Sequence, residues 1–403
     1  MKPLLAFFGG QGIGWALDED LDRARAALGD RVGLVPFGRA PLVHSAWWPP
    51  IVSAGPAPFR GKSLVCFADN PPAFYLTRPG FEQAASRVDL WVARSSEAVA
   101  QFRELGLPVA FAPYCLDDGV FFPLRAEERT ALRSRLGFAP EDFVVGNFHR
   151  DSIQRNVRLP KMQKGPDLFL EVVERARMRI PHLRVLLAGP RRHWLRSALN
   201  ERGIPTTFAG EAREDDDFPL NVLPRAELNR LYSVLDAVVI SSRWEGGPYS
   251  ALEALAAGRP VLSTPVGMAA DVLPGWIFKS PDQAAELLDR IAQGTADFAA
   301  LRERAAREHS PQALGVALER AYAPLNASPW RTVSAALSSV RLFLSRFHPV
   351  LRGRFPAHPQ VARAMEMVAN REESAGLSVV SEAIKIADAE TSVFQELTGR
   401  MSS

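Results

Sequence analysis

Short apolar runs rich in β-branched residues recur through the first 320 residues, separated by longer stretches whose apolar positions fall at helical spacing. Strand-sized runs alternating with helix-sized ones predict an α/β protein built on doubly wound parallel sheets. The pattern runs twice. The first series is "LLAFF", "RVGLVPF", "SLVCFA", "LWVAR" and "VAFAPY", closing at "CLDDGVFFPL" (115–124). The second is "FVVGNF", "RVLLAG", "TTFAG", "AVVIS", "RPVLST" and "WIFKS". A charged, helix-like stretch, "RAEERTALRSRLGFAPED" (125–142), reads as the connection between them. Three units are therefore expected: a Rossmann-like domain over 1–124, a second over 125–326, and a helical extension over 327–403.

The extension differs in character. "SPWRTVSAALSSVRLFLSRFHPVLRGRFPAHPQ" sets Arg331, Arg341, Arg346, Arg352 and Arg354 among apolar positions. Such a segment suits a helical subdomain packed on the body, and equally a helix docking on a partner, a second copy or a membrane surface.

Composition narrows the classes. With 403 residues, 47% of them hydrophobic and 23% charged, the chain can bury a large core. A net charge of +3 and no long Lys/Arg block before residue 330 argue against dedicated nucleic-acid binding. Cys66 and Cys115, the only cysteines, sit in apolar stretches and read as buried reduced thiols, which fits a cytoplasmic protein. "MKPLLAFFGGQGIG" ends its apolar run in glycines and reads as a first strand and turn rather than a signal peptide. No run of about 18 apolar residues occurs to span a bilayer.

The most informative stretch is "SSRWEGGPYSALEALAAGRPVLSTPVG" (241–267). A strand leads to Glu245; Gly246 and Gly247 allow close backbone approach; Pro248 opens a helix that Gly258 ends, with Glu253 two turns in. Ligands of parallel α/β sheets bind at the carboxyl ends of strands, and a helix start offers free N–H groups to a diphosphate. A lone pair of glutamates at this spacing is usually solvated or capping. Here strand, acid, glycines, helix, acid and next strand occur in order.

The stretch resembles the donor-site signature of the group 1 glycosyltransferases, retaining enzymes of GT-B fold, through Ser241 or Ser242, Glu245, Gly246, Glu253, Ala254, Gly258, Pro260 and Val261. The resemblance implies two Rossmann-like domains facing a cleft. It makes Glu245 a contact of the donor sugar, with Gly246, Gly247, Pro248, Tyr249 and Ser250 around it, and Glu253 the holder of the nucleotide ribose. "KGPDLFL" resembles the family helix that follows the diphosphate-binding lysine, here Lys164. The family arginine directly after the strand glycine is replaced by Asn147, and the nearest cation is Arg150. Asn221, Val222 and Leu223 fall where the family packs the base. Glu214, Asp215, Asp216 and Asp217 contain a D-x-D spacing used with metals in another glycosyltransferase architecture, but here they read as a solvated acidic turn.

The first domain resembles the family more loosely. "GGQGIGW" breaks the dinucleotide fingerprint at Trp15, and Gly12 and Gly14 are expected to face the cleft or to form a tight turn. His44, at a strand end, resembles one half of a family two-histidine motif whose second member is Ala46. Asp69 follows Ala68 where many members carry His-Asp; it would orient an acceptor hydroxyl or cap "NPPAFY". The implied activity is retaining transfer from a nucleoside diphosphate sugar to a glycan, lipid-linked or protein hydroxyl, with no metal or other cofactor, in the cytoplasm or at the inner membrane face. Epimerase or phosphorylase chemistry on the same fold, and a catalytically inactive binding module, are the rival readings.

Overall fold

The computed structural model of the chain describes residues 2–10, 16–76, 78–116, 119–154 and 156–326. Gly12, Gly14 and the expected extension 327–403 lie outside the described residues.

The first sheet comprises β1 (Leu4–Phe8), β2 (Gly33–Leu34), β3 (Leu42–Ser45), β4 (Ser63–Ala68), β5 (Leu90–Ala93) and β6 (Val109–Phe111), in the order β2-β1-β3-β4-β5-β6 with every pair parallel. In the second half β7 (Phe143–Asn147) is followed by an antiparallel hairpin, β8 (Ser152–Ile153) and β9 (Asn156–Pro160). Then come β10 (Leu183–Ala188), β11 (Thr206–Ala209), β12 (Ala237–Ile240) and β13 (Val261–Ser263). The second sheet is parallel throughout, in the order β11-β10-β7-β12-β13. Its strand direction of travel reverses between β7 and β12, so the loops after these strands splay apart and open a crevice.

Each sheet is covered on both faces. Val145 and Val185 pack against Phe169, Val172 and Val173 of helix Pro166–Arg177, while Val144 and Leu186 face Leu231 and Leu252 on the other side. Burying each such side chain contributes roughly 1.5–3 kcal/mol.

Two expectations change in the structure. "RVGLVPF" yields only the short edge strand β2, because Pro36 turns the chain into a 3-10 turn at Phe37–Arg39; the central partner of β1 is instead β3. "WIFKS" contributes a single bridge, Ser263 to Ile277. The charged connection forms helix Ala126–Arg135 and belongs to the second domain: Arg129 and Arg133 reach Asp236 at 2.7 and 2.9 Å, and Arg133 Nη1 donates to the Val234 carbonyl at 2.8 Å.

The domain boundary expected at 326 also moves. Helix Pro311–Tyr322 returns to the first domain, where Leu314, Leu318 and Tyr322 are buried with Leu21, Ala24 and Leu28 of helix Ala16–Leu28. Gly315 permits this contact, since a Cβ there would run into the Ala27 carbonyl. The two chain crossings are stitched together, with the Leu116 N–H donating to the His309 carbonyl at 2.9 Å and His309 Nδ1 2.9 Å from the Tyr114 carbonyl. Cys66 and Cys115 are buried thiols that are not joined in a disulfide.

Candidate active site

The loops after β7 and β12 supply the site. Lys164 stands on the 3-10 turn Met162–Lys164, and Gly165 follows at φ +57, a left-handed conformation in which its missing Cβ lets the Ser241 carbonyl close in. Ser241 Oγ donates to the Lys164 carbonyl at 3.1 Å, and Arg243 ties the same turn through Met162 O at 2.9 Å and Asp167 Oδ1 at 2.7 Å. Held in this way, Lys164 Nζ donates to Glu245 Oε1, which also accepts from Ser242 Oγ at 2.7 Å. Burial alone would raise the Glu245 carboxyl; Lys164, His149 and the two hydrogen bonds reverse that and hold it at about 2. Glu245 is therefore an anion at neutral pH.

Arg150 lies within electrostatic reach of Glu245, Asp216 and Arg191, and engages no acceptor among the described residues. Burial and Arg191 depress its guanidinium, so an anion placed beside it would be favoured. Asn147 explains why the cation is displaced to 150. Its amide is buried, donating to the Val239 carbonyl at 3.0 Å and accepting from Arg192 Nη2 at 3.1 Å and the His149 N–H at 3.2 Å. The Arg192 guanidinium thus occupies the space behind the strand end, itself 3.3 Å from Asp151.

Helix Tyr249–Ala256 begins at the crevice behind Pro248. Ser250 Oγ lies 2.8 Å from His149 Nε2. Glu253 is half-buried and accepts from the Tyr232 hydroxyl at 3.0 Å on Oε2; burial raises its carboxyl, with Tyr232, Arg225 and Arg23 opposing. Val222 is 49% exposed and Leu223 packs against the domain core, whereas Asn221 is spent on both backbone groups of Glu211.

The first domain closes on this loop. A Cβ on Gly246 would meet the Asp69 backbone, and one on Gly247 would fall within the Tyr114 ring. Tyr114 donates to Asp69 Oδ1 at 3.1 Å, and Tyr249 donates across the domains to Asp20. Burial and Asp20 push the Asp69 carboxyl up to about 6, against the pull of Arg94 and Tyr114. Arg94 is 1% exposed, with its guanidinium over the rings of Phe67 and Tyr114 at 4.6 and 4.3 Å.

Residues 157–297 match the family described as glycosyl transferases group 1. The stretch that carries Lys164, Glu245 and Glu253 is thus similar to the group 1 glycosyltransferases. The chain is 28% identical over 292 residues to a D-inositol 3-phosphate glycosyltransferase of Stackebrandtia nassauensis, a stretch covering 64% of this chain and 61% of the relative. It is 30% identical over 195 residues to the lipopolysaccharide core biosynthesis mannosyltransferase LpsB of Rhizobium meliloti, covering 47% and 49% respectively. The chain thus spans less than two thirds of either relative. In fold it is similar to Anabaena HepE in complex with UDP, with a TM-score of 0.63 and 15% identity over 80% of this chain and 100% of that one. Two facing Rossmann-like domains, the GT-B fold, are shared.

Against the family pattern, Glu245, Lys164, Arg150, Gly246, Gly247, Pro248, Tyr249 and Ser250 gather around one crevice, with Asp69 facing them from the first domain. Glu253 lies farther along the same helix, against Tyr232. His44 departs from expectation. It is 0% exposed on the central strand β3, 2.6 Å from the Tyr322 hydroxyl through Nδ1 and 4.1 Å from the Phe67 ring, with burial and Arg94 lowering it to about 3. The helix that returns from the second domain seals it into the first-domain core. The acidic turn also departs. Asp217 is 2% exposed and accepts from the Arg191 N–H at 2.6 Å, while Asp216 takes Arg191 Nε at 2.8 Å and Nη2 at 2.9 Å. These acids fasten the loop beside Arg150. Sequence reasoning missed His149, Tyr114, Arg94 and Asp20, whose partners are remote in the chain.

Among the described residues no helix is long and apolar enough to cross a membrane.

Proposed function

We propose that the protein transfers a sugar from a nucleoside diphosphate sugar to an acceptor hydroxyl with retention at the anomeric carbon and without a bound metal. The observation that carries the proposal is the convergence of Lys164, Arg150 and the start of helix Tyr249–Ala256 on the crevice between β7 and β12, where the ionised Glu245 is already fixed. Breaking the anomeric bond leaves negative charge on the departing diphosphate, which two cations and free helix N–H groups stabilise most in the transition state.

Glu245, held by Lys164 and Ser242, would take sugar hydroxyls, and Glu253 a ribose hydroxyl on Oε1, which accepts from no described residue. Val222 and Leu223 would border the base. Asp69, below the donor loop and with a raised carboxyl, is suited to orient an acceptor hydroxyl. Glu245 is committed to Lys164 and Ser242 and so is not a free nucleophile for a covalent intermediate. Attack from the departing face, with a leaving-group oxygen receiving the acceptor proton, is the retaining route this favours. UDP in the HepE complex and the sugar acceptors implied by the relatives' names make nucleotide sugars and glycan, lipid-linked or protein hydroxyls the substrates to try first.

The test is a thermal-shift screen of UDP, GDP, ADP, TDP and their sugar conjugates with Mg²⁺ or with EDTA, followed by the anomeric configuration of the product by NMR. A shift with one base that survives EDTA, and a retained anomer, are expected. No shift with any nucleotide sinks the transferase reading, and an inverted anomer sinks retention.

A further inference from the structure

His149, in the loop after β7, touches the β12 side of the crevice at two points. Its Nε2 lies 2.8 Å from Ser250 Oγ in the first turn of helix Tyr249–Ala256, and its Nδ1 lies 3.4 Å from Ser242 Oγ in the loop after β12. Its backbone N–H is fixed by Asn147 Oδ1 at 3.2 Å, and the next residue is Arg150. The loop bearing Arg150, the loop bearing Glu245 and the helix start therefore meet on one imidazole.

The direction of each hydrogen bond follows from Glu245. An ionised carboxylate only accepts, so the Ser242 hydroxyl spends its proton on Glu245 Oε1 at 2.7 Å and turns a lone pair to His149. Nδ1 must then carry the proton. A neutral ring protonated at Nδ1 has a bare Nε2, which accepts from the Ser250 hydroxyl. Burial, Lys164 and Arg192 lower His149 to about 3 against the pull of Glu245, which keeps the ring neutral.

We infer that His149 is a positioning residue: through the chain Ser250 Oγ–H to His149 Nε2, His149 Nδ1–H to Ser242 Oγ, and Ser242 Oγ–H to Glu245, it sets the acid and the helix start in one register. The relay stands on the hydrogen-bond geometry with Glu245 ionised; its effect on catalysis rests on the transferase reading above. One consequence concerns Ser250. Its hydroxyl proton points inward to His149, so Ser250 presents its backbone N–H, not its hydroxyl, to a diphosphate.

Full-length protein labelled with [15N]histidine tests the relay by long-range 1H–15N correlation, the His149 signals being those lost in His149→Gln. Protonated Nδ1 and bare Nε2, unchanged from about pH 5 to 8, are expected. The opposite tautomer, or a signal that titrates in that range, overturns the relay. Ser242→Ala removes the middle link without touching the ring, and is expected to abolish the tautomer preference; an unaltered spectrum also overturns it. For the catalytic part, His149→Ala should lower kcat on the order of tenfold with little change in the donor KM, with His149→Asn, which keeps a donor near Nδ1, recovering part of the loss. Equal kcat in wild type and His149→Ala overturns the positioning role. Wild-type protein inactive with every nucleotide sugar, but with the expected tautomer, would fault the transferase reading and leave the relay intact.

Discussion

The ring of Tyr114 stands where a side chain at Gly247 would have to go, so the donor loop of one domain and a tyrosine of the other share a single volume. Adding a methyl at Gly247 therefore acts on domain approach before it acts on chemistry. Overpacking of this kind costs roughly 1–3 kcal/mol, and here it can be relieved by opening the cleft. Gly247→Ala is expected to raise the donor KM and lower kcat together, with Tyr114→Ala restoring part of both. Solution scattering should show a larger radius of gyration for Gly247→Ala; an unchanged radius with normal kinetics would show that closure does not depend on this contact.

The Lys164–Glu245 pair gives a second prediction, in stability and pH. Glu245 is held at about 2, below the carboxylate range, so its pairing stabilises the fold fully above its unfolded value and loses that stabilisation as pH falls towards 2. Lys164→Met leaves a buried carboxylate without its cation, at a cost of about 3 kcal/mol. The melting temperature should drop most at neutral pH, with the gap to wild type shrinking below about pH 4.5. A gap that is constant with pH would mean that the pair carries no such linkage.

For Asp69 the sign is opposite. Burial beside Asp20 raises its carboxyl to about 6, so ionising it works against the folded state above that pH and not below the unfolded value. Asp69→Asn should raise the melting temperature at pH 7–8 and leave it unchanged near pH 4. If ionised Asp69 also orients the acceptor, wild-type kcat/KM should rise through about pH 6 and the variant should lose both activity and that limb. Activity that falls while the limb persists would assign the limb to another group.

How far the site was legible depends on how local its parts are. Glu245, the two glycines and Glu253 lie on one strand–turn–helix unit, and Lys164 opens another, so spacing alone brings them to strand ends. Tyr114, Asp20 and Arg94 join the site through contacts far apart in the chain, Tyr114 to Asp69 and Arg94 to Tyr114 within the first domain and Asp20 to Tyr249 across the domains, which leave no period in the sequence. His44 misled for a related reason: its position at the carboxyl end of β3 was readable, but its seal, Tyr322, arrives from a helix 278 residues on. The same helix shifted the domain boundary. The acidic run looked solvated because Arg191 and Asn221, which bury Asp217, reach it only after the strand-end loop of β10 folds over.

The last prediction separates Glu253 from its support. Tyr232 donates to Oε2 and leaves Oε1 for a ribose hydroxyl, so Glu253 should matter only where the nucleotide has one. Glu253→Gln keeps the Tyr232 contact but trades a charged acceptor for a neutral one, and charge-assisted hydrogen bonds are about twice as strong as neutral ones. Donor affinity should fall on the order of tenfold for the ribonucleotide and little for its 2′,3′-dideoxy form, because a hydrogen bond to a charged group is worth about 1.5–3 kcal/mol. Tyr232→Phe should produce a smaller loss of the same kind, since it frees the carboxylate to turn without removing it. Equal losses for both nucleotides in Glu253→Gln, measured by calorimetry, would show that Glu253 serves the helix and not the ribose.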